Sequence, residues 1–211
     1  MTDQRAYWDG PGVAKTFTHP VDFSWLNGLA TQARILDYGC GYGRVTALAR
    51  QHGFADVVGV DASPGLIGRA RREVPGATFR TLSDPPRLPC PDASFDAVFL
   101  LAVLTCIPDD EGQRELIAEL RRVLRPGGLL YLSDLLLQDD ERNVARYQKS
   151  VSGYGTYGVF EVGDGAVCRH HRADWFDELL TGFAVTRSRT ISLATMNGNP
   201  GTGRQILATA S

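Results

Sequence analysis

The stretch Arg34-Ile35-Leu36-Asp37-Tyr38-Gly39-Cys40-Gly41-Tyr42-Gly43-Arg44-Val45-Thr46 puts an apolar strand, a turn with glycine at three alternate positions and a helix start in immediate succession. A strand that runs into a glycine-rich turn and a helix N-terminus lets a ligand lie against bare backbone and unpaired N–H groups. The spacing then narrows the ligand. A dinucleotide fingerprint of the form G-x-G-x-x-G beginning at Gly39 and Gly41 needs glycine at position 44, where this chain carries Arg44.

A second element follows at Val57-Val58-Gly59-Val60-Asp61, an apolar run ending in an acid, as expected of a parallel strand buried on both faces. Asp61 lies 20 residues after Gly41. In a doubly wound sheet an acid at that place reaches a ribose, because one carboxylate accepts from both hydroxyls. The alternative is a strand-terminal acid that caps the helix opening at Ser63-Pro64. Two further segments carry punctuation of their own. Ser83-Asp84-Pro85 leads through Leu88-Pro89 and a small-residue turn into Phe95-Asp96, and Leu124-Arg125-Pro126-Gly127-Gly128 ends a helix before the apolar run Leu129-Leu130-Tyr131.

In this order, across residues 34–135, the four segments resemble the motifs of the small-molecule class I S-adenosylmethionine (SAM) methyltransferases: the acid two residues before the first glycine, the ribose acid, the adenine-reading acid before strand four, and the corner into strand five. The resemblance implies a Rossmann-like α/β fold: a seven-stranded, mostly parallel sheet with helices on both faces and an antiparallel last strand. N-terminal helices and a β-hairpin insertion after strand five would complete it. It also implies S-adenosyl-L-methionine as cofactor. Gly39 and Gly41 would admit the methionine moiety, with Asp37 near its amino group and the Leu101 carbonyl on its ammonium. Asp61 would hold the ribose and Ala62 would flank the adenine. Asp84 would accept from the adenine amino group, although Pro85 beside it has no N–H to give the ring, which leaves Ser83 as a second candidate. Arg44 is open between pairing with the SAM carboxylate and lying on the surface of its helix.

The strand and helix signals alternate, which by itself argues a parallel sheet wrapped by helices. At 211 residues the expectation is one domain, with a helical cap at 1–32, a cofactor core at 33–135, an insertion or lid at 136–172, and a terminal helix and antiparallel strand pair at 173–211. No apolar run approaches the roughly 18 residues of a membrane helix. The first residues lack a signal-peptide pattern, and the four cysteines have neither paired nor metal-type spacing. A cytoplasmic protein without a metal site or membrane partner is expected, as monomer or homodimer. The net charge of −2 argues against nucleic acid as a partner.

Methyl transfer asks mainly for alignment, with a base where the acceptor carries a proton. In this fold the acceptor is recognised by segments that cover the carboxyl ends of the strands. Those segments hold Lys15 to His19 and Tyr154 to His171, which supply His171, His19, Tyr157 and Glu161 as catalytic candidates, with His171 or His19 taking the proton. Strand alternation separates His171 and Arg169 from His170 and Cys168. The function so read is transfer of a methyl group from SAM to an O, N or S atom of a small, partly apolar metabolite. A nicotinamide (NAD(P)-binding) oxidoreductase of similar topology and a non-catalytic SAM-binding protein stand as alternatives.

Overall fold

A computed structural model describes residues 4–211. Its central sheet is built from β1 (Arg34–Tyr38), β2 (Asp56–Asp61), β3 (Thr78–Thr81), β4 (Phe95–Leu101), β5 (Leu124–Leu135), β8 (Phe183–Ala194) and β9 (Pro200–Ala210), in the order β3-β2-β1-β4-β5-β9-β8. Strands β1 to β5 run parallel, and β9 lies antiparallel to both β5 and β8. A separate two-stranded hairpin pairs β6 (Val159–Glu161) with β7 (Val167–Arg169). Strand order reverses direction between β1 and β4, so the crevice beyond their carboxyl ends is where such a sheet takes a ligand.

The central strands are mostly apolar because both faces are covered. Alternate residues feed two different layers. Ile35, Phe99 and Tyr131 pack with Val45 and Ala49 of α2 (Arg44–Gln51). Leu36, Val98 and Leu130 pack with Leu116 and Leu120 of α4 (Asp110–Val123) and Phe176 of α6 (Ala173–Leu179). At the far edge β8 is exposed along most of its length and carries Arg187 and Arg189, charges that discourage strand pairing with another chain. Among the described residues no helix is long and apolar enough to cross a membrane.

Two boundaries differ from the sequence reading. Strand β5 starts at Leu124 rather than 128, because Leu124 already pairs with Phe95 before the chain bulges through Gly127 (φ +76°) and rejoins at Leu129 opposite Ala97. The helix after it, α5 (Glu141–Tyr154), runs through Gly153 and stops only where Gly155 takes a left-handed conformation (φ +72°). The expected insertion at 136–172 thus opens with a helix of 14 residues.

The loop after β4 carries the strained part of the crevice. Ala102 sits at φ +57°, and a 3₁₀ turn spans Leu104–Cys106. Two fully buried side chains hold it. Asp134 at the end of β5 accepts from the Thr105 N–H at 3.2 Å and from its neighbour Leu135 at 2.8 Å. From α4, Gln113 donates through Nε2 to the carbonyls of Leu104 (3.0 Å) and Ile107 (2.6 Å), while its Oε1 accepts from Trp175 Nε1 at 2.7 Å. Replacing Gln113 with leucine strands those buried partners. A loss of roughly 2–4 kcal/mol is expected for Gln113→Leu by urea unfolding, against less than about 0.5 for Glu115→Gln on the exposed face of the same helix. Equal stability of the two variants would show that the loop is not held by this amide.

Candidate active site

The glycine turn after β1 explains itself residue by residue. Gly39, Gly41 and Gly43 all have positive φ (+68°, +52° and +86°), a conformation that L side chains rarely adopt. A Cβ at Gly39 would collide with Val103, and one at Gly43 would lie 2.7 Å from the Phe79 ring. Gly41 differs, since its Cβ would point at the Phe17 ring 3.5 Å away, across the space above the turn. That space is a cavity of about 320 Å³ bounded by Gly39, Gly41, Asp61, Ala62, Asp84 and Ala102, roofed by Trp8 and Phe17.

Asp61 closes the turn from β2. Its Oδ2 accepts from the Gly41 N–H at 2.9 Å and its Oδ1 from the Ser63 N–H at 2.9 Å. Each oxygen keeps a lone pair toward the cavity. Burial raises this carboxyl above its ordinary value, against the pull of those N–H groups. The helix cap is Ser63, whose Oγ accepts from Leu66, so the capping role foreseen as the alternative for Asp61 falls to its neighbour.

Three expected cofactor residues lie elsewhere. Asp37 is 2% exposed, and its Oδ2 accepts from both the backbone N–H (2.9 Å) and the hydroxyl (2.7 Å) of Thr46. It therefore stabilises the first turn of α2, where partial positive charge accumulates. Burial pushes it up to about 6. Arg44 donates to the His19 carbonyl at 2.7 Å, so neither alternative drawn for it describes its place. Ser83 lies outside the cavity, with its carbonyl facing Arg5. The Leu101 side chain belongs to the core around Phe99, while its carbonyl, the group expected to meet the ammonium, ends β4 next to Ala102 of the lining.

A second, smaller cavity of about 60 Å³ adjoins the first, with Trp8, Phe17, Ala102 and Cys106 common to both. His19 lines it, 3% exposed, with Nδ1 3.0 Å from Ser133 Oγ; burial lowers the ring to about 4, so it is neutral near pH 7. Thr105 lines it too, and its hydroxyl is buried without a partner among the described residues. The hairpin contributes Cys168 and His170, and α5 contributes Arg142 and Arg146.

His171 does not share this cavity. Its ring is 1% exposed, with Nδ1 3.1 Å from the Leu135 carbonyl and Nε2 2.9 Å from the Gln113 amide, so both nitrogens are engaged in the core. The Leu135 carbonyl can only accept, so the ring proton sits on Nδ1, and Nε2 faces the Gln113 amide as the unprotonated nitrogen. Tyr157, 43% exposed and edge-on to Tyr147, lines neither cavity, nor does Glu161 at the exposed end of β6. Alternation did separate the pairs as expected, with Cys168 and His170 inward, while Arg169 is turned to Asp110 at 2.6 Å. Sequence reasoning missed Arg142 and Arg146; one turn apart on α5, they read as an ordinary polar helix face.

Residues 36–132 match the family described as methyltransferase domain. Among curated proteins, the chain is 34% identical over 148 residues to 2-methyl-6-phytyl-1,4-hydroquinone methyltransferase of Synechocystis sp., covering 64% of this chain and 45% of that one. It is 38% identical over 103 residues to trans-aconitate 2-methyltransferase of Methylobacterium nodulans, covering 48% and 38%. The chain thus spans less than half the length of either relative. Among solved structures, a SAM-dependent methyltransferase of Methanosarcina mazei superposes with a TM-score of 0.83 at 27% identity, over 90% of this chain and 98% of that one.

The satisfied core position of His171 has a pH consequence. Burial first, and the Arg169 charge next, hold its pKa near 3, against 6.5 for the free side chain. The unfolded chain takes a proton below about pH 6.5 that the folded chain refuses, so this histidine subtracts stability as pH falls through that window. Between pH 6.5 and 4.5, wild type should lose roughly 2–3 kcal/mol relative to His171→Gln in urea unfolding. Parallel pH profiles for the two proteins would contradict the neutral buried ring.

Proposed function

Because the chain belongs to the class I SAM-dependent methyltransferases, we propose that it transfers a methyl group from SAM to a small, partly apolar acceptor, with His19 as the proton-accepting side chain. The observation that supports this most is the pair of adjoining cavities at the carboxyl ends of the strands. One has the bare glycine turn and Asp61, the other His19, and Ala102 and Cys106 belong to both. In-line transfer needs donor and acceptor sites that meet in this way.

The residues present fit the cofactor. The space that a Cβ on Gly41 would enter is kept clear, and Asp61 has lone pairs left after its two backbone bonds. Gly39 and Gly41 would lie along the methionine moiety, Asp61 would accept from the ribose hydroxyls, and Ala62 and Asp84 would flank the adenine. SAM, when bound, supplies a methyl group already activated by the sulfonium. The rest falls to this chain's own residues. Trp8 and Phe17 roof both cavities and keep water from the reacting centre. With Nδ1–H donating to Ser133 Oγ, His19 presents the Nε2 lone pair and takes the acceptor's proton there. Arg44 fixes the His19 backbone through its carbonyl, and so serves as a positioning residue. The same contact disfavours a nicotinamide cofactor, because the third glycine of that fingerprint is replaced by a side chain already committed.

We place the protein in the cytoplasm, in keeping with four cysteines that are all free. Asp61→Ala should weaken SAM binding by one to two orders of magnitude in calorimetry, corresponding to about 1.5–3 kcal/mol for charged hydrogen bonds, and Gly41→Val should abolish it. Wild-type affinity in either folded variant would remove the cofactor assignment. His19→Ala should lower turnover of labelled methyl groups by roughly 100-fold or more while leaving SAM affinity within a few fold. Unchanged turnover would remove the base.

A further inference from the structure

The second cavity is lined by a cation that no carboxylate balances among the described residues. Arg146 projects from α5 with its guanidinium carbon 3.5 Å from the centroid of the Phe160 ring, a stacked arrangement that fixes the plane of the group. Its Nε is buried and has no hydrogen-bond partner among the described residues. The acids nearby are engaged elsewhere. Asp140 caps α5 through the Asn143 N–H at 3.1 Å and stands 3.9 Å from Arg142. Asp164 pairs with Lys15 at 2.5 Å and accepts from Tyr7. Asp134 is turned to the backbone of the loop after β4. Among the described residues no carboxylate forms an ion pair with Arg146.

A guanidinium half withdrawn from water, with its Nε fully covered and without a carboxylate beside it among the described residues, is unfavourable, and this side chain does not escape by losing its proton. Burial lowers its pKa, the neighbouring Tyr147 hydroxyl opposes that shift, and Arg142 one turn away adds to it. The arrangement becomes favourable once an anion enters the cavity, since a planar guanidinium presents parallel N–H donors to a carboxylate. Thr105 Oγ, also buried and without a partner, stands on the part of the lining next to Cys106, which borders the donor cavity. The cavity is therefore polar at two places and, between them, faced by Phe160, Val162 and Met196.

Resting on the methyltransferase reading above, we propose that the acceptor is a small carboxylic acid whose carboxylate is anchored by Arg146, with its methyl-accepting atom lying toward Thr105 and His19. The anchor is distinct from the reacting atom. Arg146 sets which molecules enter, and His19 handles the proton at the end that adjoins the donor cavity. Arg142, exposed at the rim, adds long-range attraction for the same charge.

The test uses the full chain saturated with S-adenosylhomocysteine, the demethylated product of SAM, and reads thermal shifts on adding C3 to C8 monocarboxylates or their uncharged primary amides. Carboxylates should raise the melting temperature in a saturable way, and the matched amides should not. Arg146→Met, which keeps volume against Phe160, should abolish the carboxylate shift, with S-adenosylhomocysteine affinity within a few fold of wild type. Arg142→Gln should only weaken it. Equal responses to acids and amides in the wild-type protein, or a carboxylate shift that survives Arg146→Met, would overturn the anchor while the cofactor reading stands. Failure of S-adenosylhomocysteine to bind at all would instead remove the reading on which the anchor rests. The wild-type comparison of acid with amide decides the matter even if Arg146→Met does not fold.

Discussion

The site depends on how one short loop is held. Residues Ala102 to Ile107 leave β4 at the switch point and border both cavities, yet they include a residue at positive φ and a turn too short to stabilise itself. What fixes them is buried polar chemistry from two directions, Asp134 below and Gln113 from α4. Burial pushes the Asp134 carboxyl up to about 7, although the N–H groups of Leu135, Thr105, Leu104 and Val103 favour its charged form. Gln113 in turn reaches Trp175 and His171, so the loop, α4, α6 and the end of β7 form one hydrogen-bonded unit. Such a network is favourable only when every member is satisfied. This explains why His171, however suggestive in the sequence, belongs to the scaffold.

The other two buried histidines share a pattern. His170 is close to Tyr147 through Nδ1 at 2.6 Å, and the ring is lowered to about 3 by burial and by the nearby Arg146 charge. His19 has its Nδ1 3.0 Å from the Ser133 hydroxyl, and both rings line the second cavity. Desolvation makes all three imidazoles neutral near pH 7, so charge does not distinguish them. Of the three, His171 has both ring nitrogens engaged in the core, which leaves it no nitrogen for a substrate proton.

Much of the fold was legible because local signals and global topology agree. The glycine spacing, the acid ending β2 and the Pro-Gly-Gly corner before β5 each have a backbone reason that survives in three dimensions. Asp61, Ala62 and Asp84 line the cavity for the same reason, since they follow strand ends whose positions the sheet determines. Asp37 and Arg44 could not be placed from sequence. Their partners, Thr46 and the His19 carbonyl, are chosen by side-chain direction rather than spacing. Nor could Arg146 be distinguished from any polar residue of α5. Its significance comes from Phe160 of the hairpin and from the absence, among the described residues, of a nearby free acid, both matters of packing between distant segments.

The N-terminal segment shows how a stretch with little regular structure becomes part of the site. Gln4 bridges the Cys106 and Val167 carbonyls and accepts from the Val167 N–H, joining the loop after β4 to the hairpin. Lys15 reaches Asn197 in the turn between β8 and β9, Thr18 bonds the Ala194 carbonyl, and Arg69 of α3 (Pro64–Glu73) holds the carbonyls of Val13 and Lys15. These bonds lie at the periphery, while Trp8 and Phe17 are suspended between them over both cavities. One segment therefore lines both cavities, so a shift of either ring would alter the walls of the two together.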